Sequence, residues 1–146
     1  MGDWRSHLCE SDEDIRRIVR QSKRIAVLGI KTEAQSGQPA FSVPAYMQRV
    51  GADIIPVPVY YPEVNDILGA KVYRRLVDVP GGIDLVDVFR RPADIPQHLD
   101  DLLKSRPKAV WFQLGIRHDE VAQVLAKAGI DVVSDRCLMV DHRRFA

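Results

Sequence analysis

The chain has 146 residues, of which 46% are hydrophobic and 28% charged, with a formal net charge of +1. That length and balance suit one compact domain over residues 1–146, with residues 1–22 as an N-terminal extension and helix, and the near-neutral charge offers no global field for nucleic acid or an acidic membrane. No apolar run reaches membrane-spanning length, and the opening "MGDWRSHLCESDEDIRR" lacks the apolar stretch of a signal peptide, which sets the expectation of a cytoplasmic protein.

The "SDED" start predicts a helix over 11–22 with Ile15, Ile18 and Val19 on one face. Arg24–Leu28 follows as a short apolar run, read as a buried parallel strand that ends at Gly29 and a polar loop, 30–39. The next predicted helix covers 42–50, with Pro44 in its first turn, where the missing N–H is already without a partner, and Gly51 at its end. A second strand, Asp53–Pro58, leads to a short helix, Val72–Leu76, and a third strand, Asp84–Phe89. A helix over Ala93–Ser105, a strand over Lys108–Gln113 and a helix over His118–Ala128, with Gly129 as its C-cap, come next. The last strand is Asp131–Ser134, and "DRCLMVDHRRF" forms a final helix that Asp135 caps and that packs Leu138, Met139 and Phe145.

Strands alternating with helices imply a Rossmann-like, doubly wound α/β fold with a parallel sheet of five strands, here expected in the order 3-2-1-4-5. Ligands of such sheets sit beyond the carboxyl ends of the strands, where the order reverses. Gly29, the Pro56–Tyr60 segment, Phe89–Pro92 and Gln113–Arg117 are therefore expected to ring one pocket.

A dinucleotide site needs closely spaced glycines and an acidic residue at the tip of the second strand. After Gly29 the next glycine is Gly37, and "PVPVYY" carries no acid, so ordinary NAD binding is disfavoured. Lys31, Arg90, Arg91 and Arg117 all fall just beyond strand ends, a placement suited to a multiply phosphorylated ligand, although single loop cations are as often simply solvated. Glu33 stands in the same loop and would repel an anion unless it points away. Cys9 and Cys137 have no disulfide or metal-ligand spacing. Cys137 follows Arg136 at a helix start, as a reactive thiolate would, but a buried cysteine is the commoner outcome there. His118 reads as a polar helix start, His142 as a surface or packing residue, and Trp111 as core rather than an adenine stack.

Taken together, "IAVLGI", "FSVPAYM", "DIIPVPV", "DLVDVFRRP", "VWFQLGIRHDE" and "VVSDRCLMVDH" resemble, in order and spacing, the small stand-alone CoA-binding proteins of the YccU-like type. That family is related to the CoA-binding domain of the succinyl-CoA synthetase alpha subunit. The resemblance implies CoA or acyl-CoA as ligand, with Gly29, Ile30, Lys31 and Thr32 against its phosphates. It also implies that Val88, Phe89, Arg90 and Arg91 line the pocket after the third strand, and Phe112, Gln113, Leu114, Gly115 and Ile116 after the fourth. At the second strand Pro56, Val57 and Pro58 take part, and Pro58 replaces the family's asparagine, removing a side-chain amide and a backbone N–H. No metal is implied; the expected partner is the small nucleotide ligand, with no nucleic acid and no membrane, and a protein partner or homo-oligomer is left open. The function read from the sequence is a CoA-binding protein without catalysis of its own. The alternatives are a subunit of an acyl-CoA synthetase-type enzyme and an NAD(P)-binding sensor.

Overall fold

The computed structural model describes residues 3–146. Its strands are β1 (Arg24–Leu28), β2 (Asp53–Val57), β3 (Asp66–Ile67), β4 (Ala70–Lys71), β5 (Leu85–Val88), β6 (Ala109–Phe112) and β7 (Asp131–Val133). The α-helices are α1 (Asp12–Gln21), α2 (Pro39–Arg49), α3 (Leu99–Ser105), α4 (Asp119–Lys127) and α5 (Leu138–Phe145). Five of the strands form one parallel sheet, β2-β1-β5-β6-β7, and β3 and β4 form a small antiparallel hairpin outside it. Leu8 and Cys9 extend the sheet beside β7 through a parallel bridge to Val132.

Alternation along each strand divides the core in two. Ile25, Val27, Leu85, Ala109, Trp111 and Val133 face α1, α2 and α5. Ala26, Leu28, Val86, Val88, Val110, Phe112 and Val132 face α3 and α4. β5 and β6 are buried at every position, as strands covered on both faces must be. Trp111 is fully buried, and its indole N–H donates to the Arg136 carbonyl at 2.8 Å, so it is a core residue.

The Rossmann-like α/β class is as expected, but the strand order is not 3-2-1-4-5. The third major strand, β5, lies beside β1 on the side opposite β2. Two features dictate this. Pro56 has no N–H to give to a second ladder, which confines β2 to the sheet edge. Asp84 accepts the amides of Lys23 and Arg24 at 3.0 and 2.8 Å, while its own amide donates to the Arg24 carbonyl, pinning the start of β5 against β1.

Several local expectations also change. α2 begins at Pro39, so Pro44 lies inside the helix rather than in its first turn. The N–H that residue 44 lacks would have served the Ala40 carbonyl, which instead accepts from Lys31 at 3.1 Å. Val72 and Tyr73 are not helical: their amides bond to the Asn65 and Pro56 carbonyls, covering the open edge of β2, and only a 3-10 turn, Leu76–Asp78, follows. The segment over 93–105 is broken by Pro96 into 3-10 turns at Pro92–Asp94 and Pro96–His98 before α3 begins. Asp135 does not cap α5. Cys137 occupies that position without a side-chain bond, and the Asp135 carboxylate accepts the Gly115 amide instead. By contrast, Ser11 caps α1 and His118 caps α4 through its Nδ1, as their sequence positions suggest.

Candidate functional site

The order β2-β1-β5 puts the topological switch point between β1 and β5, so the residues that follow these strands meet. Gly29 has φ +86, and a Cβ there would lie 2.3 Å from the Phe89 carbonyl oxygen. Only glycine lets the two strand ends approach so closely. The Gly29 amide donates to the Val57 carbonyl and the Phe89 amide to the Leu28 carbonyl, both at 2.9 Å, which fixes the three strand ends together.

Above this junction lie two cavities with common walls. One, of about 250 Å³, is lined by Gly29, Ile30, Lys31, Val59, Tyr60, Tyr61, Phe89, Arg90 and Arg91. The other, of about 380 Å³, adds the start of α2 (Gln38, Pro39 and Ala40) and Pro92, Gly115 and Ile116 to Lys31, Phe89, Arg90 and Arg91. A third, of about 420 Å³, opens beside Val59 on the other side of the β1 and β2 ends, between Val57, Pro58, Arg74, Arg75, Leu76 and His98.

The backbone of the glycine loop is largely committed to the fold. Lys31 N–H donates to Ala40 and Thr32 N–H to the Gln35 side chain, so these amides are not presented to a ligand. The Thr32 hydroxyl closes a capping box with Gln35 and is buried. Recognition of an anion therefore falls to side chains. Lys31 lines both cavities, and its Nζ donates to the Gln38 amide oxygen. Glu33 is turned away: its carboxylate accepts the Leu68 amide at the tip of the β3–β4 hairpin, so the feared repulsion is absent.

The two arginines after β5 differ sharply. Arg91 is 81% exposed and pairs with Asp94 at 2.9 Å, a solvated rim charge. Arg90 is only 9% exposed; its guanidinium donates through Nε to the neutral His98 ring, and its one carboxylate contact among the described residues is that same Asp94 oxygen, at 4.0 Å. The Tyr60 ring centroid lies 6.0 Å from the Arg90 guanidinium carbon. A nearly buried cation without a close counter-charge is an unfavourable arrangement that an anionic ligand would relieve.

Other expected residues stand elsewhere. Val88 and Phe112 lie in the sheet core, and the Pro56 side chain faces the interior while its carbonyl holds Tyr73. Gln113 is buried and accepts the Leu138 amide, anchoring α5. Leu114 is exposed, and Arg117 pairs with Asp119 away from the cavities. Gln38, Ala40, Tyr61 and His98 line cavities without having been singled out from the sequence. The signal for Tyr61 was the aromatic pair at the second strand's exit; His98 carried none.

A family model described as a CoA binding domain matches residues 23–143. The chain belongs to that CoA-binding domain family. A Bacillus subtilis (strain 168) protein, the uncharacterized YneT, is 34% identical over 132 residues, covering 90% of this chain and 94% of the relative. A solved structure from Thermus thermophilus, "cell-free ID.343", is 39% identical with a TM-score of 0.85, covering 94% of this chain and all of that one. An acetyl-coenzyme A synthetase 1 from Ca. Korarchaeum cryptofilum shares the fold at 15% identity and a TM-score of 0.63, over 80% of this chain and 27% of that one.

The crevice fits the family's group. Gly29 lets the two strand ends meet beneath the cavities, Lys31 and Arg90 carry the positive charge a phosphorylated group would need, and Phe89, Pro92 and Ile116 line an apolar part of the wall. Among the described residues no cluster of metal-ligating side chains occurs, and no helix is long and apolar enough to cross a membrane.

Proposed function

We propose that the protein binds CoA or an acyl-CoA in the crevice between the β1 and β5 ends and does no chemistry on it alone. The observation that carries this reading is Arg90, a guanidinium buried in the wall shared by two cavities with no carboxylate closer than 4.0 Å among the described residues. A diphosphate there supplies a closer counter-charge than Asp94 does, through charge-assisted hydrogen bonds. Lys31 holds a second phosphate oxygen, while CoA itself supplies the thiol on which any acyl group is carried. The histidines support binding rather than phosphoryl transfer. His7 contacts Asp131, His98 accepts from Arg90, His118 caps α4, and His142 meets Tyr46.

Thermal unfolding with CoA, 3′-dephospho-CoA, pantetheine and NADH tests the reading. CoA at a hundredfold excess over its dissociation constant stabilises by about 2.7 kcal/mol. Arg90→Ala loses about 1.5–3 kcal/mol of CoA binding energy, and Arg91→Ala almost none. Stabilisation by NADH and not by CoA overturns the ligand. Protein-dependent formation of acyl-CoA from a nucleoside triphosphate, CoA and a short carboxylic acid overturns the absence of catalysis.

A further inference from the structure

His98 ends the Pro96–His98 turn and lines the third cavity, while its partner Arg90 lines the other two. Its Nε2 lies 3.1 Å from Arg90 Nε and 3.4 Å from Gln97 Nε2. Arginine can only donate, so Nε2 must carry the lone pair and the ring proton sits on Nδ1. The contact engages the single Nε–H of Arg90, whereas a phosphate is gripped by the paired terminal groups of the fork.

We propose that His98 is a positioning residue of the phosphate site: in its uncharged form it holds Arg90 by Nε, turns the terminal amino groups to the ligand, and on protonation releases the guanidinium and weakens binding. The inference rests on the CoA reading. It follows from the surroundings of the ring. Arg90 comes from the segment after β5, Asp94 from the preceding turn, and Asp101 from α3, where Arg75 forks the Asp101 carboxylate at 3.1 and 2.7 Å. Burial and then the Arg90 charge hold the imidazole below its ordinary value, against the opposing pull of Asp101 and Asp94. At neutral pH the ring is therefore an acceptor. Once protonated it has no lone pair at Nε2, and two cations stand against each other.

The test is calorimetric titration of 3′-dephospho-CoA between about pH 7.5 and pH 5. Its diphosphate stays ionised over this range, whereas a phosphate monoester takes up a proton near about pH 6. Wild type is expected to lose affinity progressively toward the acid end, because the competent state requires neutral His98. His98→Gln keeps an acceptor for Arg90 and cannot titrate, so it should match wild type at about pH 7.5 and show a flat profile. His98→Leu should be weak throughout and equally flat. Wild-type affinity in a folded His98→Leu, or a wild-type acid decline in His98→Gln, overturns the inference while leaving CoA binding intact. Failure of wild type to bind either CoA or dephospho-CoA overturns the ligand reading and the inference with it.

Discussion

Replacing Asp87 with leucine is expected to stabilise the protein, and to do so increasingly as pH rises. Asp87 lies in β5 between Val27 and Trp111, is 1% exposed, and neither carboxyl oxygen has a hydrogen-bond partner among the described residues. Burial alone pushes its carboxyl well above the usual range. Leucine places two methyl groups where aspartate has two oxygens, and removing an unpaired buried polar group is worth about 1–3 kcal/mol before any ionisation is considered. The folded state keeps its proton where the unfolded chain, with a pKa of about 3.9, has released it. Asp87's contribution is thus intact below about pH 4 and erodes by about 1.4 kcal/mol per pH unit until the group ionises in the fold. The leucine variant lacks that slope. Urea unfolding of both proteins at about pH 5, 6 and 7 gives the difference directly, with all other titrating groups cancelling. A difference that stays constant with pH, or a variant less stable than wild type at about pH 7, refutes the reasoning.

Gly29→Ala should cost about 2–5 kcal/mol in urea unfolding, the sum of a left-handed backbone and a Cβ 2.3 Å from the Phe89 carbonyl oxygen; a loss under about 1 kcal/mol would show that the strand ends part easily. Arg136 forks buried Asp141 at 2.7 and 2.8 Å, so Arg136→Met should cost about 3–5 kcal/mol, whereas Arg117→Ala at an exposed pair should change the urea midpoint by less than about 0.5 kcal/mol equivalent.

The five long-range strands were legible because apolar runs bounded by turn residues leave few other options. The expected bounds of Arg24–Leu28 agree to the residue, and those of the others to within one residue at each end. The strand order was misread although Pro56 carried the signal: a proline in a strand argues for an edge, and the expected order placed that strand in the interior. The β3–β4 hairpin had only Gly69 as a local signature, because the other turn residue is Leu68, at φ 55, and the turn is held by the distant Glu33. At the crevice, Gly29, Lys31 and Arg90 were visible as types of residue at strand ends. What separates Arg90 from Arg91 is burial, which sequence spacing does not encode. His98 lay hidden because Pro92 and Pro96 break an apparent helix into turns that bend the chain back to the crevice.

Pro44 has a kinetic consequence. Among the described residues the carbonyl of Ala40, in α2, accepts the Lys31 amide in place of the N–H that residue 44 lacks. Swinging the glycine loop away would strand that oxygen, at about 1–3 kcal/mol. That cost favours the present shape of the rim before any ligand arrives. Encounter without a loop rearrangement would leave the association rate to diffusion and to salt-sensitive steering from Lys31 and the two arginines. On the proposed CoA reading, differences between CoA, its dephosphorylated form and its acyl derivatives then belong to how slowly each one leaves.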